Sequence, residues 1–352
     1  MIDWTQSMRQ TFEFYRVDPN TWKDVERIMN IQSSSIDRDI TSATRGSATF
    51  DSTDTMDECY IRIYLIVNQN EETSKIPLAT VLAQTPSTNF NGMFSSTSID
   101  AYTPLIEIKD RRPPIGYTVY KDANIMNVAS DLTAENTRAP VVAAKSDVKL
   151  YSDFTANVSD DWLTYLTQLM SNAKFEYDVD PMGRILFSPR QDIGALQPVW
   201  VYDDGNCSIL QPSISNSRDL YGIPNVVEVI YSTSSGFLYS KVVNDDPNSP
   251  ISTVSRGREV MYRDTSPRFQ AEPTQEEIDK YAVQLLRNLS SLEHTIKYTH
   301  GYCPVRVGDA VMLDIKSAGL VNIKAKVIQQ SIKCDTGCQV SETAVYTTKL
   351  WR

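Results

Sequence analysis

The length of its apolar runs most constrains what this chain can become. The longest, Tyr60-Ile61-Arg62-Ile63-Tyr64-Leu65-Ile66-Val67, is the length of a β-strand and carries an arginine in its middle. A bilayer-crossing helix needs roughly 18–20 apolar residues, so no such span is expected. Other runs share this character: Cys59 to Val67, Ile76 to Gln84 and Asn225 to Tyr231 are strand-length, rich in β-branched residues and bounded by polar or turn-forming segments. The sequence is therefore expected to be mainly β. Its 352 residues, 41% of them hydrophobic and 22% charged, suffice for a sizeable core without disulfides or metals. At roughly 100–200 residues per domain, two or three domains are expected.

The pattern changes twice along the chain. Residues 1–120 read as strands, among them Ile36 to Ile40, Ala48 to Phe50, Ser98 to Tyr102 and Leu105 to Ile108, with Asn68 to Ser74 as a hairpin loop. Asp18 to Met29 fits either a helix or a strand. Arg111-Arg112-Pro113-Pro114 breaks regular structure and marks the first boundary. Residues 121–192 read as an α+β insertion. A helix is expected over Asn124 to Glu135 and another after Ser159, taken as its cap with Asp160 and Asp161 in the first turn. A hairpin follows, with Asp180-Pro181-Met182-Gly183 as its turn. Residues 193–352 return to strands, including Val199 to Tyr202, Thr295 to Tyr298, Ala310 to Ile315, Val321 to Ser331 and Ala344 to Leu350. They are interrupted by one amphipathic helix over about 274–293, opened by the capping box Thr274-Gln275-Glu276-Glu277 and given a face from Ile278 to Leu292.

Chemistry is sparse. The net charge is −10 and no Lys/Arg-rich run exists, so tight nucleic-acid binding is not expected. The N-terminus has no basic-then-apolar segment of a secretory signal, and folding in a host cytoplasm is expected. Cys59, Cys207, Cys303, Cys334 and Cys338 are odd in number and scattered, a poor disulfide framework. Cys334 and Cys338 flank the turn Asp335-Thr336-Gly337, which leaves free thiols, a disulfide formed after release from the cell, or half of a zinc site open. His294 and His300 are the only histidines. His300 and Cys303 are imaginable as a thiol–imidazole pair, but alternation along a strand argues against their facing each other. No nucleophile elbow or phosphate-binding loop is present. The acidic pairs at Asp203-Asp204 and Asp245-Asp246 read as turn chemistry, since neither fits a calcium loop. No catalytic, cofactor-binding or metal residue is nominated, no cofactor is expected, and the chain is not expected to be an enzyme. Trp200, Tyr202 and Tyr221 leave a carbohydrate-binding reading open.

The order of these features resembles the hub proteins of phage baseplates and tail tips and their relatives in contractile injection systems. Trp22-Lys23-Asp24-Val25, Ile36-Asp37-Arg38-Asp39-Ile40 and Gly46-Ser47-Ala48-Thr49-Phe50 resemble that family's opening domain. Trp162 to Leu166, followed by Phe175 to Phe187 with its Asp-Pro-Met-Gly turn, is similar to its middle. Pro224 to Tyr231 and Pro304-Val305-Arg306-Val307-Gly308-Asp309-Ala310-Val311 resemble its re-entering strand and closing barrel. The resemblance implies two tail-tube-like β-barrel domains flanking a small α+β domain. It also implies a homotrimer forming a ring of six similar domains between a sixfold tail tube and a threefold central spike, with peripheral baseplate (wedge) proteins held by the insertion and DNA passing through unbound. A siphophage tail-tip protein, a host-carbohydrate binder and a cell-wall-degrading tail protein are the alternatives. The resemblance places the protein in the virion tail.

Overall fold

The computed structural model describes residues 2–92, 94–205, 208–233, 236–267, 269 and 272–351. It is 46% strand and 14% helix. The chain divides into two units, Met1–Ile214 with Tyr298–Ala344, and Ser215–Lys297 with Val345–Arg352.

The first unit opens with β1 (Arg9–Val17), β2 (Asp24–Ile28), β3 (Ile31–Asp39), β4 (Gly46–Ser52), β5 (Cys59–Gln69), β6 (Glu72–Asn91) and β7 (Phe94–Tyr102). They form an antiparallel run in the order β2-β1-β5-β6-β7-β4-β3. The longest apolar run becomes β5, buried on both faces. Ile61, Ile63, Leu65 and Val67 pack with Phe14, Ile36, Phe50 and Ile99, while Tyr60, Arg62 and Tyr64 point the other way, as a strand's period of two requires. The expected Asn68–Ser74 loop is shorter. Only Asn70 and Glu71 lie between β5 and β6, both at positive φ (51° and 65°), as a two-residue primed turn demands. The ambiguous Asp18–Met29 segment contains β2, whose residues are mostly exposed and which ends the sheet. Strand β6 outruns its neighbour: its ladder with β5 stops at Cys59↔Ala83, whereas that with β7 continues to Asn91↔Phe94. Residues 89–91 and 94–96 therefore form a two-stranded ribbon, with Phe90 at 83% exposure.

The chain from Leu105 through the insertion departs from expectation at two points. Leu105 to Ile108 is not a strand but part of α1 (Leu105–Lys109), because Leu105 and Ile108, three apart, are buried on one helical side. After β8 (Thr118–Val119), α2 (Ile125–Asn136) and β9 (Phe154–Thr155), the cap of α3 (Trp162–Ser171) is Asp161, not Ser159. The Asp161 side chain accepts from Thr164 N, and Asp160 instead accepts from Asn157 N at 3.1 Å. Trp162, Leu166 and Leu169 of α3 pack with Ile125, Met126 and Ala129 of α2. Strands β10 (Phe175–Val179) and β11 (Ile185–Pro189) form the expected hairpin.

Strand β12 (Pro198–Asp203) precedes the second unit. That unit holds β13 (Ser215–Arg218), β14 (Val226–Thr233), β15 (Gly236–Val243), α4 (Thr253–Arg256), β16 (Met261–Asp264) and α5 (Gln275–Leu289). Both bonds of the Thr274/Glu277 capping box are present. Ile278, Ala282 and Leu286 of α5 pack against Val227 and Val229 of β14. The helix stops earlier than expected: Ser290 caps it, and Leu292 belongs to β17 (Ser291–Gly301), where buried and exposed residues alternate. The closing strands are β18 (Ala310–Ile315), β19 (Leu320–Lys333) and β20 (Gln339–Lys349). Strand β19 pairs with β18 through Leu320–Lys326 and with β3 through Gln329–Lys333, and β12 runs parallel to β18. Among the described residues no helix is long and apolar enough to cross a membrane.

Candidate functional site

Two buried polar centres hold the first unit together. The first is built on Arg62, whose side chain is only 2% exposed. A lone charge there would be costly, and every acceptor around it counters that cost. Arg62 donates to Asp24 Oδ1 (2.6 Å), Thr80 Oγ1 (2.9 Å), Trp22 O (3.3 Å) and Met182 O (3.2 Å). Tyr64 OH donates to the other Asp24 oxygen at 2.7 Å.

Met182 belongs to the Asp180–Gly183 turn of the insertion, and the same turn is gripped twice more. Trp22 Nε1 donates to Met182 O at 2.7 Å and Thr80 Oγ1 to Pro181 O at 3.0 Å. Gly183 lies flat against these groups at φ +76°, where an added Cβ would sit 2.7 Å from Thr80 Cβ and 2.9 Å from Trp22 Cζ2. Glycine is required here by both conformation and space. From the closing segment, Arg306 Nη2 donates to Val179 O at 2.7 Å. Residues of the opening, middle and closing motifs thus meet on one hairpin.

The second centre is built on Glu342 of β20, which is fully buried with His300. Its carboxylate accepts from Tyr298 OH (2.8 Å), Tyr202 OH (3.2 Å) and Gln330 Nε2 (2.6 Å), and His300 Nε2 lies 3.4 Å away. Gln330 Oε1 in turn accepts from Arg38 at 2.6 Å, which extends the network to β3. Burial alone would lower the His300 pKa, but its contacts with Cys303 and Glu342 outweigh that and hold it up, at about 10. Burial would raise the Glu342 pKa, but the hydrogen bond and charge of His300, with the other donors, keep it below the usual carboxylate range. Burial, then the charge of Glu342, push Tyr202 and Tyr298 well above the ordinary phenol range, so both remain donors.

The sequence argument against His300 meeting Cys303 fails on geometry. Strand β17 ends at Gly301, the chain turns, and Cys303 Sγ comes to 3.9 Å from His300 Nδ1 and 3.2 Å from Tyr202 OH. Both His300 and Cys303 are fully buried. A reacting pair must be within reach of its substrate, and here the thiol and imidazole serve as links in a closed network. Cys334 and Cys338 are buried free thiols, both pushed up by burial, Cys334 to about 12. Cys207 lies outside the described residues. Among those described, no cluster of three or more His, Cys, Asp or Glu could hold a metal. Asp203 accepts from Gly205 N and Asp246 from Asn248 N, both turn contacts. Tyr202 is core, Trp200 is half-buried and Tyr221 is 92% exposed.

Sequence reasoning missed Glu342, Gln330, Arg62 and Gly183 as the centres of these contacts. Glu342 did carry a signal: it shares the inward phase of β20 with Val340 and Ala344.

No protein-family model and no curated protein matches the sequence. Solved structures match its fold. A tail protein from Neisseria meningitidis superposes with a TM-score of 0.62 at 12% identity, over 98% of each chain. The 43 kDa tail protein of prophage MuSo2 from Shewanella oneidensis gives 0.64 at 9% identity, over 95% of this chain and 98% of that one. The E. coli c3393 protein gives 0.50 at 9% identity, over 91% and 74%. It is described as a component of the type VI secretion system structurally similar to the T4 tail proteins gp27 and gp5. The chain therefore shares the fold of these tail proteins, mainly β with an α+β insertion.

Proposed function

We propose that this chain is a non-enzymatic structural component of a phage-type tail, the hub of its baseplate or tail tip. The observation that carries the reading is the extent of the fold match, which runs through the opening sheet, the insertion and the closing strands to 98% of both chains in one tail protein. The finer reading is a homotrimeric ring that meets the sixfold tail tube on one side and the threefold spike on the other. The insertion would hold peripheral baseplate proteins. Chemistry supports a structural part: the perturbed ionisable groups around Glu342 are sealed from solvent and satisfied by one another. With a net charge of −10, the ring would let DNA pass without holding it.

Light scattering on the purified chain tests the reading. A mass three times that of one chain, 39.7 kDa, is expected. A compact monomer at every concentration, with no association when tail-tube protein is added, would count against it.

A further inference from the structure

Within the first unit, the opening sheet, the insertion's hairpin and the closing segment meet around a small cavity of about 40 Å³. Ile36 and Arg38 of β3, Leu78 of β6, Val179 of β10 and Arg306 of the closing segment line it. Neither of these arginines hydrogen-bonds a carboxylate. Arg38 donates to Gln330 Oε1 and Leu78 O, both at 2.6 Å and both neutral. Arg306 donates to the equally neutral Val179 O, and the Asp178 carboxylate comes only to 3.8 Å of its guanidinium. Arg306 Nε is buried and has no partner among the described residues. Burial, then the charge of Arg306, push the Arg38 pKa down to about 10, as expected of two cations that share a dry space. The other charged groups at the cavity are engaged elsewhere. Arg184 occupies both oxygens of Asp180, through its backbone N at 2.9 Å and its Nε at 2.6 Å. Asp178 accepts from Val179 N, Asp37 is exposed, and Arg45 pairs with Glu176. The Arg38 charge is left facing neutral acceptors.

We propose that this cavity binds a monatomic anion, a halide, between Arg38 and Arg306, with the Arg306 Nε–H donating to it. Sign and size both follow from the lining. An arginine side chain offers donors and no acceptor, so the two guanidiniums repel a metal cation and suit an anion. A water would satisfy Nε but leave the buried Arg38 charge uncompensated, and burying such a charge is costly. One water needs roughly 10–15 Å³ of such space, so the cavity takes an ion of atomic size and turns away one as large as gluconate. Because β3, the hairpin and the closing segment each supply part of the lining, the bound ion ties these three parts together.

Two measurements on the full-length protein test the site. Crystals soaked in sodium bromide should give an anomalous scattering peak between Arg38 and Arg306. In solution, unfolding is compared in sodium chloride and sodium gluconate at equal ionic strength. With chloride at about ten times its dissociation constant, the unfolding constant should be roughly tenfold lower than in gluconate. Arg38→Gln removes the charge and should abolish that difference, while general salt effects persist in both proteins and cancel in the comparison. A density peak that carries no bromide signal, an ordered water only, overturns the proposal. So does a chloride–gluconate difference that is the same in Arg38→Gln as in the unaltered chain. Should Arg38→Gln fail to fold, the bromide peak alone decides.

Discussion

The Arg62 and Glu342 centres both bury charge inside β-structure, but they are built on different plans. Arg62 directs its donors to partners from separate modules: a carboxylate on β2, a hydroxyl on β6, and a carbonyl in the insertion's turn. Its carboxylate partner, Asp24, keeps a 25% exposed side chain. Glu342 gathers donors from β12, β17 and β19, and both it and His300 are dry. The first centre is a joint onto the insertion's turn, and the second a keystone among the closing strands that reaches β3 only through Gln330 and Arg38. Breaking a buried pair costs more when the abandoned partner cannot rehydrate, so the two should fail differently.

Glu342→Ala, which strands the His300 charge, should have the largest effect, a loss of about 3–5 kcal/mol in urea unfolding, spread over the first unit. Arg62→Ala should cost less, roughly 2–3 kcal/mol, because Asp24 can take up water. Its hydrogen-exchange signature should be local, with faster exchange in β10 and β11 while β5 and β6 stay protected. Equal and global losses for both variants would erase the distinction. Gly183→Ala sharpens it: the left-handed conformation and the approach of Thr80 and Trp22 should cost roughly 1–3 kcal/mol and loosen the same hairpin. Trp22→Phe keeps the ring and removes one donor to Met182 O, so about 1 kcal/mol is expected.

The Glu342 centre should also respond to pH. The His300 pKa is raised from 6.5 to about 10 by folding, so its contribution is fully present below 6.5 and is lost as pH rises through 10. The Glu342 pKa is depressed, so its contribution is present above 4.5 and is lost as pH falls through its lower folded value. Unfolding free energy measured from about pH 4 to about pH 10.5 should therefore be flat between 4.5 and 6.5 and fall steadily from 6.5 to about 10 through His300. Replacing His300 by Gln should remove the alkaline fall that this residue causes.

Local features were readable from the residues. The Thr274 capping box, the Asp180–Gly183 turn and the β5 run are set by contacts within a few positions. What could not be read was where such pieces land. The partners Trp22 and Met182 are 160 residues apart, and Arg38 and Gln330 are 292 apart. Alternation misjudged His300 and Cys303 because the strand ends between them. Three residues of spacing misled at Leu105 and Ile108 in the opposite sense, since a short apolar run fits one helical turn as well as a strand.

Negative-stain imaging of the purified protein, alone and with tail-tube protein, tests the central claim most directly. The account predicts threefold particles with a central hole, seated coaxially on the tube. Solid particles without a hole, bound to the side of the tube or not at all, would contradict it.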